Sequence, residues 1–168
     1  MSPFTSVKNL YFYSTSIDLR LQTISELRPM LANRTNFTAS VINDDTIVVI
    51  GGRNEKGNIV GWPERYNIGE NKWTLFDNGK NIDASKLLAR YCHTATAIGN
   101  DSIIVTGGYV HEQGKRALVC SDQVLLLDAN EMSVISSSQL SIRRCWHVAE
   151  VVHDKWLIVA GGSVQVLF

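Results

Sequence analysis

Three Gly-Gly pairs, each closing an apolar β-branched run, recur along the chain at near-constant spacing. Gly51-Gly52 follows TIVVI, Gly107-Gly108 follows SIIVT, and Gly161-Gly162 follows WLIVA, so the pairs lie 56 and then 54 residues apart. Strand-like content on a period of that length means one supersecondary unit repeated along the chain. A repeat of this kind shifts the question from a catalytic centre to an array and its loops.

A second series keeps the same phase. Arg34, Arg90 and Arg144 are also 56 and 54 residues apart, and three residues beyond each stands a ring: Phe37, His93, His147. An apolar-small run follows each ring (TASVI, TATAI, VAEVV). A polar turn comes next, at Asn43-Asp44-Asp45, Gly99-Asn100-Asp101 and His153-Asp154-Lys155, and then the strand that ends in Gly-Gly. Each repeat therefore opens with a predicted β-hairpin. Its second half reads as two more strands. In the first repeat Glu64–Asn67 and Lys72–Leu75 flank a turn, with Tyr66 and Trp73 on either side. In the next, Asp122–Asp128 and Met132–Ile135 do the same; aligning Tyr66 with Leu127 puts Val134 in the place of Trp73.

Gly-Gly, Arg-x-x-His and Tyr-x6-Trp in phase resemble the kelch repeat. The departures are Phe37 for His, Val134 for Trp, and an N-terminal stretch with neither glycine pair nor tryptophan. The resemblance implies an all-β chain made of kelch-type β-propeller blades, each of four antiparallel strands. It divides a single domain, 1–168, into the third and fourth strands of a partial blade (1–30), whole blades at 34–76 and 90–135, and the start of another at 144–168. Asn9–Tyr13 and Leu19–Ile24 read as the two strands of the partial blade. Val164–Phe168 reads either as a further strand or as a non-native tail. Propellers typically have 4–8 blades, and about three blades' worth of strands make an incomplete ring. Two arrangements answer this: the chain is a piece of a larger propeller, or two copies join head to tail as a homodimer of six blades. Exposed blade edges invite a partner in both.

The chain is 45% hydrophobic over 168 residues, enough for a real core, and its 16 Lys and Arg balance its 16 Asp and Glu. A neutral balance argues against nucleic acid or an anionic membrane as the partner. No apolar run reaches membrane-spanning length, and the N-terminus has no basic region followed by an apolar core. Cys92, Cys120 and Cys145 are odd in number without CxxC spacing, which fits free thiols in a reducing, cytoplasmic setting. The sequons at Asn33, Asn36 and Asn100 read as chance in that setting.

Residues bound to the repeat carry structural expectations. Gly51, Gly52, Gly107, Gly108, Gly161 and Gly162 allow a sharp turn close to a neighbouring blade. The guanidinium groups of Arg34, Arg90 and Arg144 are expected to satisfy backbone carbonyls between blades. His93 and His147 read as structural, since a zinc site needs three or four converging ligands and their third equivalent is Phe37. Tyr66 and Trp73 bracket a turn. No metal or other cofactor is expected, and no residue is assigned to catalysis.

Specificity on a repeat scaffold sits in variable loops. The segments after Gly-Gly, Arg53–Asn58 and Tyr109–Arg116, and the expected loops Asp77–Leu88 and Ser136–Ile142 supply the candidates. Arg53, Asn54, Trp62, Tyr109, His111 and Arg143 are the predicted partner-binding residues, with Trp146 a further aromatic anchor. The kelch resemblance implies a non-catalytic protein-interaction module with a protein or peptide partner, in a substrate-receptor or cytoskeleton-linked role. Ligase membership normally adds a BTB or F-box domain, which these residues do not contain. The alternative is a kelch-fold enzyme, a sugar mutarotase or a metal-dependent oxidase. Paired carboxylates for acid/base work at matched positions are not apparent.

Overall fold

A computed structural model describes residues 14–76, 82–112 and 117–164, with the backbone alone at 82–84. The chain runs β1 (Ser14–Asp18), β2 (Thr23–Leu27), β3 (Thr38–Ile42), β4 (Thr46–Ile50), β5 (Glu64–Asn67), β6 (Lys72–Leu75), α1 (Ile82–Leu87) and β7 (Thr94–Ile98). It continues with β8 (Ser102–Thr106), β9 (Tyr109–His111), β10 (Leu118–Cys120), β11 (Gln123–Asp128), β12 (Ser133–Gln139), β13 (Cys145–Val152) and β14 (Trp156–Ser163).

Two four-stranded antiparallel sheets, β3-β4-β5-β6 and β7-β8-β11-β12, are whole blades. Two hairpins, β1-β2 and β13-β14, lie on either side of them in the sequence, and β9-β10 is a small hairpin inserted after the second glycine pair. The inner strands stand side by side, β3 against β7 and β7 against β13. The main core lies between the two whole blades, where Ile42, Val48 and Ile50 meet Ile103, Val105, Leu125 and Leu127. A strand buried on both faces needs a near-continuous apolar run, which is why TIVVI does not alternate. The turn slot follows the expected register: Tyr66 pairs with Trp73, their rings 4.9 Å apart, and Leu127 pairs with Val134.

The structure corrects several local expectations. Leu19–Gln22 is a turn, not part of a strand, because the Asp18 carboxylate accepts the Arg20 and Leu21 N–H groups at 2.8 Å. Asn9–Tyr13 and the Val164–Phe168 strand lie outside the described residues, apart from an irregular Val164. Ile82–Leu87 is a short helix where a loop was expected, secured by the buried Leu88. Ser136–Gln139 extends β12 instead of forming a loop, pairing with Leu126–Gln123 along the outer edge. The third glycine pair does not end its strand, since β14 runs through Gly161 and Gly162 to Ser163.

Candidate functional site

Each repeat positions its loops with the same skeleton. The arginine that precedes the inner strand donates to the carbonyl of the first glycine of its own blade: Arg34 to Gly51 at 3.0 Å, Arg90 to Gly107 at 2.9 Å, Arg144 to Gly161 at 3.0 Å. Arg34 also donates to the Trp62 carbonyl at 3.1 Å and forms a buried ion pair with Glu64. The Glu64 carboxylate accepts the Leu31 and Ala32 N–H groups at 2.7 and 3.0 Å, so neither buried charge lacks partners. Burial lowers the pKa of Arg34, and Glu64 opposes that shift. Arg90 has no such carboxylate. It donates to the Leu87 carbonyl and to Gln123 Oε1 at 2.6 Å, and burial lowers its pKa to about 10, so it stays charged at neutral pH.

The histidines tie neighbouring blades together. His93 Nε2 hydrogen-bonds Thr38 Oγ1 at 2.9 Å, and His147 Nε2 hydrogen-bonds Thr94 and Thr106 at 3.1 and 2.8 Å. Desolvation lowers both pKa values, well below the usual range for His93, with help from the nearby Arg90 and Arg144 charges. Backbone bonds run alongside: Gly52 N–H to the Arg90 carbonyl and Gly108 N–H to the Arg144 carbonyl, at 2.8 and 2.9 Å. Gly51 and Gly107 hold positive φ (66° and 59°), and a Cβ there would sit 2.2 and 2.4 Å from those same arginine carbonyls. Only glycine fits such a contact.

One residue per repeat was not singled out by its type. Asn36, Cys92 and Trp146 each lie two residues past the arginine, and all three hold left-handed backbone, with φ of 56°, 55° and 59°. Cys92 N–H donates to the Asn36 carbonyl and Trp146 N–H to the Cys92 carbonyl, at 3.0 and 2.9 Å. Left-handed backbone is rare for a tryptophan, so the blade-to-blade ladder imposes it. With Phe37, His93 and His147 these residues line a cavity of about 230 Å³ where the inner strands converge.

Two further pockets adjoin it through shared lining residues. Asn36 also lines a second space of about 230 Å³ with Arg53, Asn54 and Glu55. Asn33, Asn54 and Glu55 then lead to a third, about 330 Å³, bounded by Leu31, Lys56 and Trp62. The three adjoining pockets make up a groove in three parts, with an exposed tryptophan in the first and the last: Trp146 at 59% and Trp62 at 48%. The loop beneath it is held firmly. Asn54 Oδ1 accepts the Lys56 and Asn58 N–H groups, and Arg53 donates to the Gly57 carbonyl at 3.2 Å while lying over the Tyr91 ring.

Of the predicted partner-binding residues, the groove gathers Arg53, Asn54 and Trp62, with Trp146 beside them. Tyr109 is not a surface anchor: it is 3% exposed and stacks on Tyr91 at 5.0 Å, beneath the loops. His111 is exposed at the end of β9, opposite Leu118, and Arg143 is exposed beside Asp122 at 3.5 Å; neither lines the groove. Leu31, Asn33 and Asn36 also line it, none of them among the predicted partner-binding residues. The three cysteines are buried and form no disulfide, and desolvation pushes the Cys92 and Cys120 thiols up to about 12. Among the described residues no three His, Cys, Asp or Glu side chains converge as a metal site.

Four-stranded blades with paired glycines, an inner-strand arginine and a Tyr–Trp turn define a kelch-type β-propeller architecture. Residues 34–77, the first whole blade, match the Kelch motif. The fold is similar to the solved structure of YjhT, a kelch-repeat propeller protein, with a TM-score of 0.64 and 20% identity over 90% of this chain. The chain spans 44% of the length of YjhT.

Proposed function

We propose that this chain is a non-catalytic recognition module that binds an extended peptide segment of a partner protein along the groove. The observation that carries this reading is the groove itself, with Trp62 and Trp146 exposed towards its ends and polar side chains between them. Exposed tryptophans beside shallow pockets are the usual anchors of protein recognition, and the side-chain amide nitrogens of Asn33, Asn36 and Asn54 offer donors to a peptide backbone. The titratable groups in the groove favour binding over chemistry. A thiol held near 12 supplies no thiolate at neutral pH, and the imidazoles are engaged with threonine hydroxyls. A substrate-receptor or cytoskeleton-linked role in the cytoplasm is the cellular setting that fits such a module.

Selection of linear peptides displayed on phage against the whole chain tests the reading. Enriched sequences are expected to carry two separated apolar side chains and to lose binding to Trp62→Ala, with unchanged thermal melting. No enrichment, or binding untouched by Trp62→Ala and Trp146→Ala alike, overturns it.

A further inference from the structure

The two whole blades end in outer strands of different character. β6 has four residues and begins with Lys72. The Trp73 indole ties it to the Arg28 carbonyl at 2.8 Å. β12 has seven residues, Ser133–Gln139, and its last five are exposed. It holds no charge and no proline, the residues that usually guard a sheet edge. Among the described residues it pairs with β11 alone. An unguarded edge of that length is a template for a further strand.

The ladder fixes which backbone groups this edge offers. Leu140 N–H donates to the Asp122 carbonyl at 2.6 Å. Bonded and non-bonded pairs alternate along an antiparallel ladder. Ser138 and Ser136, opposite Val124 and Leu126, therefore also turn their N–H and C=O groups towards β11. Ser137 and Gln139, opposite Leu125 and Gln123, turn theirs outward. The Gln123 carbonyl agrees, since it accepts Gly107 N–H from the other side at 3.0 Å. A bulge at Ile135 ends the regular run on the side of Val134.

The sequence around Ser137 selects the occupant, because it complements itself when run antiparallel. With Ser137 facing Ser137, Ser136 falls opposite Ser138, Val134 opposite Leu140, and Ser133 opposite Ser141. Glu131 comes beside Arg143, and Ile135 opposite Gln139 is the unlike pair. Glu131 is exposed, and the Arg143 side chain is 61% exposed although it lies 3.5 Å from Asp122. Moving the centre to Ser138 loses the match: Ser136 then meets Leu140, and Glu131 meets the buried Cys145.

We propose that two copies of this chain pair through β12, antiparallel about a two-fold axis at Ser137, joining two four-stranded blades edge to edge. Ser137 of each copy exchanges both backbone hydrogen bonds with its mate. Small serine side chains let the backbones approach, and the acidic end of each strand lies beside the basic end of the other. A two-fold contact uses the same patch on both copies, so it closes at two. No residue of β12 lines the groove, so this pairing is independent of the peptide reading.

Sedimentation equilibrium of the whole chain across micromolar concentrations should give the mass of two copies, and a monomer throughout overturns the proposal. Ser137→Pro removes an outward N–H and none of the bonds to β11, so it suits an edge strand. It should weaken the dimer about tenfold with circular dichroism unchanged; a dimer of unaltered affinity overturns the pairing. Charge reversal tests the register without touching the backbone. Glu131→Arg and Arg143→Glu should each weaken the dimer about fivefold, and the double variant should recover most of the loss. Losses that simply add overturn the register. Mild oxidation should cross-link copies of Ser137→Cys faster than copies of Gln139→Cys, because Cα atoms of a bonded pair lie about 5.5 Å apart. Equal rates count against an axis at Ser137. A monomer that still selects peptides overturns the pairing and leaves the groove reading standing.

Discussion

In the blade of residues 34–76 the buried arginine faces a carboxylate, and in the next blade the equivalent arginine faces an amide. Arg34 is neutralised by Glu64; Arg90 relies on Gln123 and backbone carbonyls. Both guanidinium groups are almost fully buried. The repeat therefore requires acceptors placed around the guanidinium rather than a counter-charge. Where the carboxylate is present it does additional work, holding the Leu31 and Ala32 N–H groups of the segment that leads into the blade. The same arginine slot thus gives an ion pair in one blade and a cation held by neutral acceptors alone in the next.

The largest expected effect breaks that comparison most directly. Glu64→Ala leaves Arg34 charged and buried and strips two N–H groups of their acceptor, so unfolding free energy should fall by about 3–5 kcal/mol. Gln123→Ala leaves Arg90 its Leu87 and Gly107 carbonyls and should cost about 1–3 kcal/mol. Urea melts of the two variants decide the matter, and equal losses would show that the carboxylate adds nothing beyond an acceptor.

The glycine sockets give the next largest contrast. Gly51→Ala combines a left-handed alanine with a Cβ driven against the Arg90 carbonyl, and should cost about 2–4 kcal/mol. Gly161→Ala has the same left-handed backbone but open space around it, so only about 1–2 kcal/mol of conformational strain is expected. Thermal melting of the two variants makes the comparison. Losses of the same size would mean that the Arg90 carbonyl yields easily.

A smaller effect separates the blade contacts by pH. The folded pKa values of His93 and His147 are lowered, so the unfolded chain binds protons first as pH falls. The stability contributed by the neutral imidazoles is full above the unfolded value of about 6.5 and is lost as pH drops through it towards the lowered folded values. His93, the more strongly shifted, should account for more of this acid sensitivity. Denaturant midpoints between pH 7 and pH 5 should flatten more for His93→Gln than for His147→Gln; the reverse order would reassign the dominant contact. The smallest effect is at Arg143, whose exposed pairing with Asp122 should change stability by no more than about 0.5 kcal/mol on Arg143→Ala.

The periodic part of the fold was legible because sterics enforce it. Glycine at the sockets, arginine seventeen residues earlier and the Leu127–Val134 slot all follow from a backbone that repeats. What stayed hidden was set by context. Ser136–Ser138 looks like loop sequence, yet an outer edge strand needs backbone partners rather than apolar side chains, and β11 supplies them. The helix at 82–87 is too short for a periodic signal, and its anchor, Leu88, acts through tertiary packing. Tyr109 follows a glycine pair as a loop residue would, but the β9-β10 hairpin turns it inward against Tyr91. In the groove, Arg53 was visible as a residue of the variable loop after a glycine pair, and Trp62 as a candidate aromatic anchor. Leu31 and Asn33 were not, because they reach the site from the segment before the blade.

The left-handed position shared by Asn36, Cys92 and Trp146 has a consequence for how such a chain diversifies. Main-chain hydrogen bonds to the neighbouring blade hold that residue in place, so an amide, a thiol and an indole all occupy it on the same backbone. The wall of the inner cavity is in effect an interchangeable panel. Its polarity and bulk can be reset by a single codon while the scaffold that presents it stays unchanged.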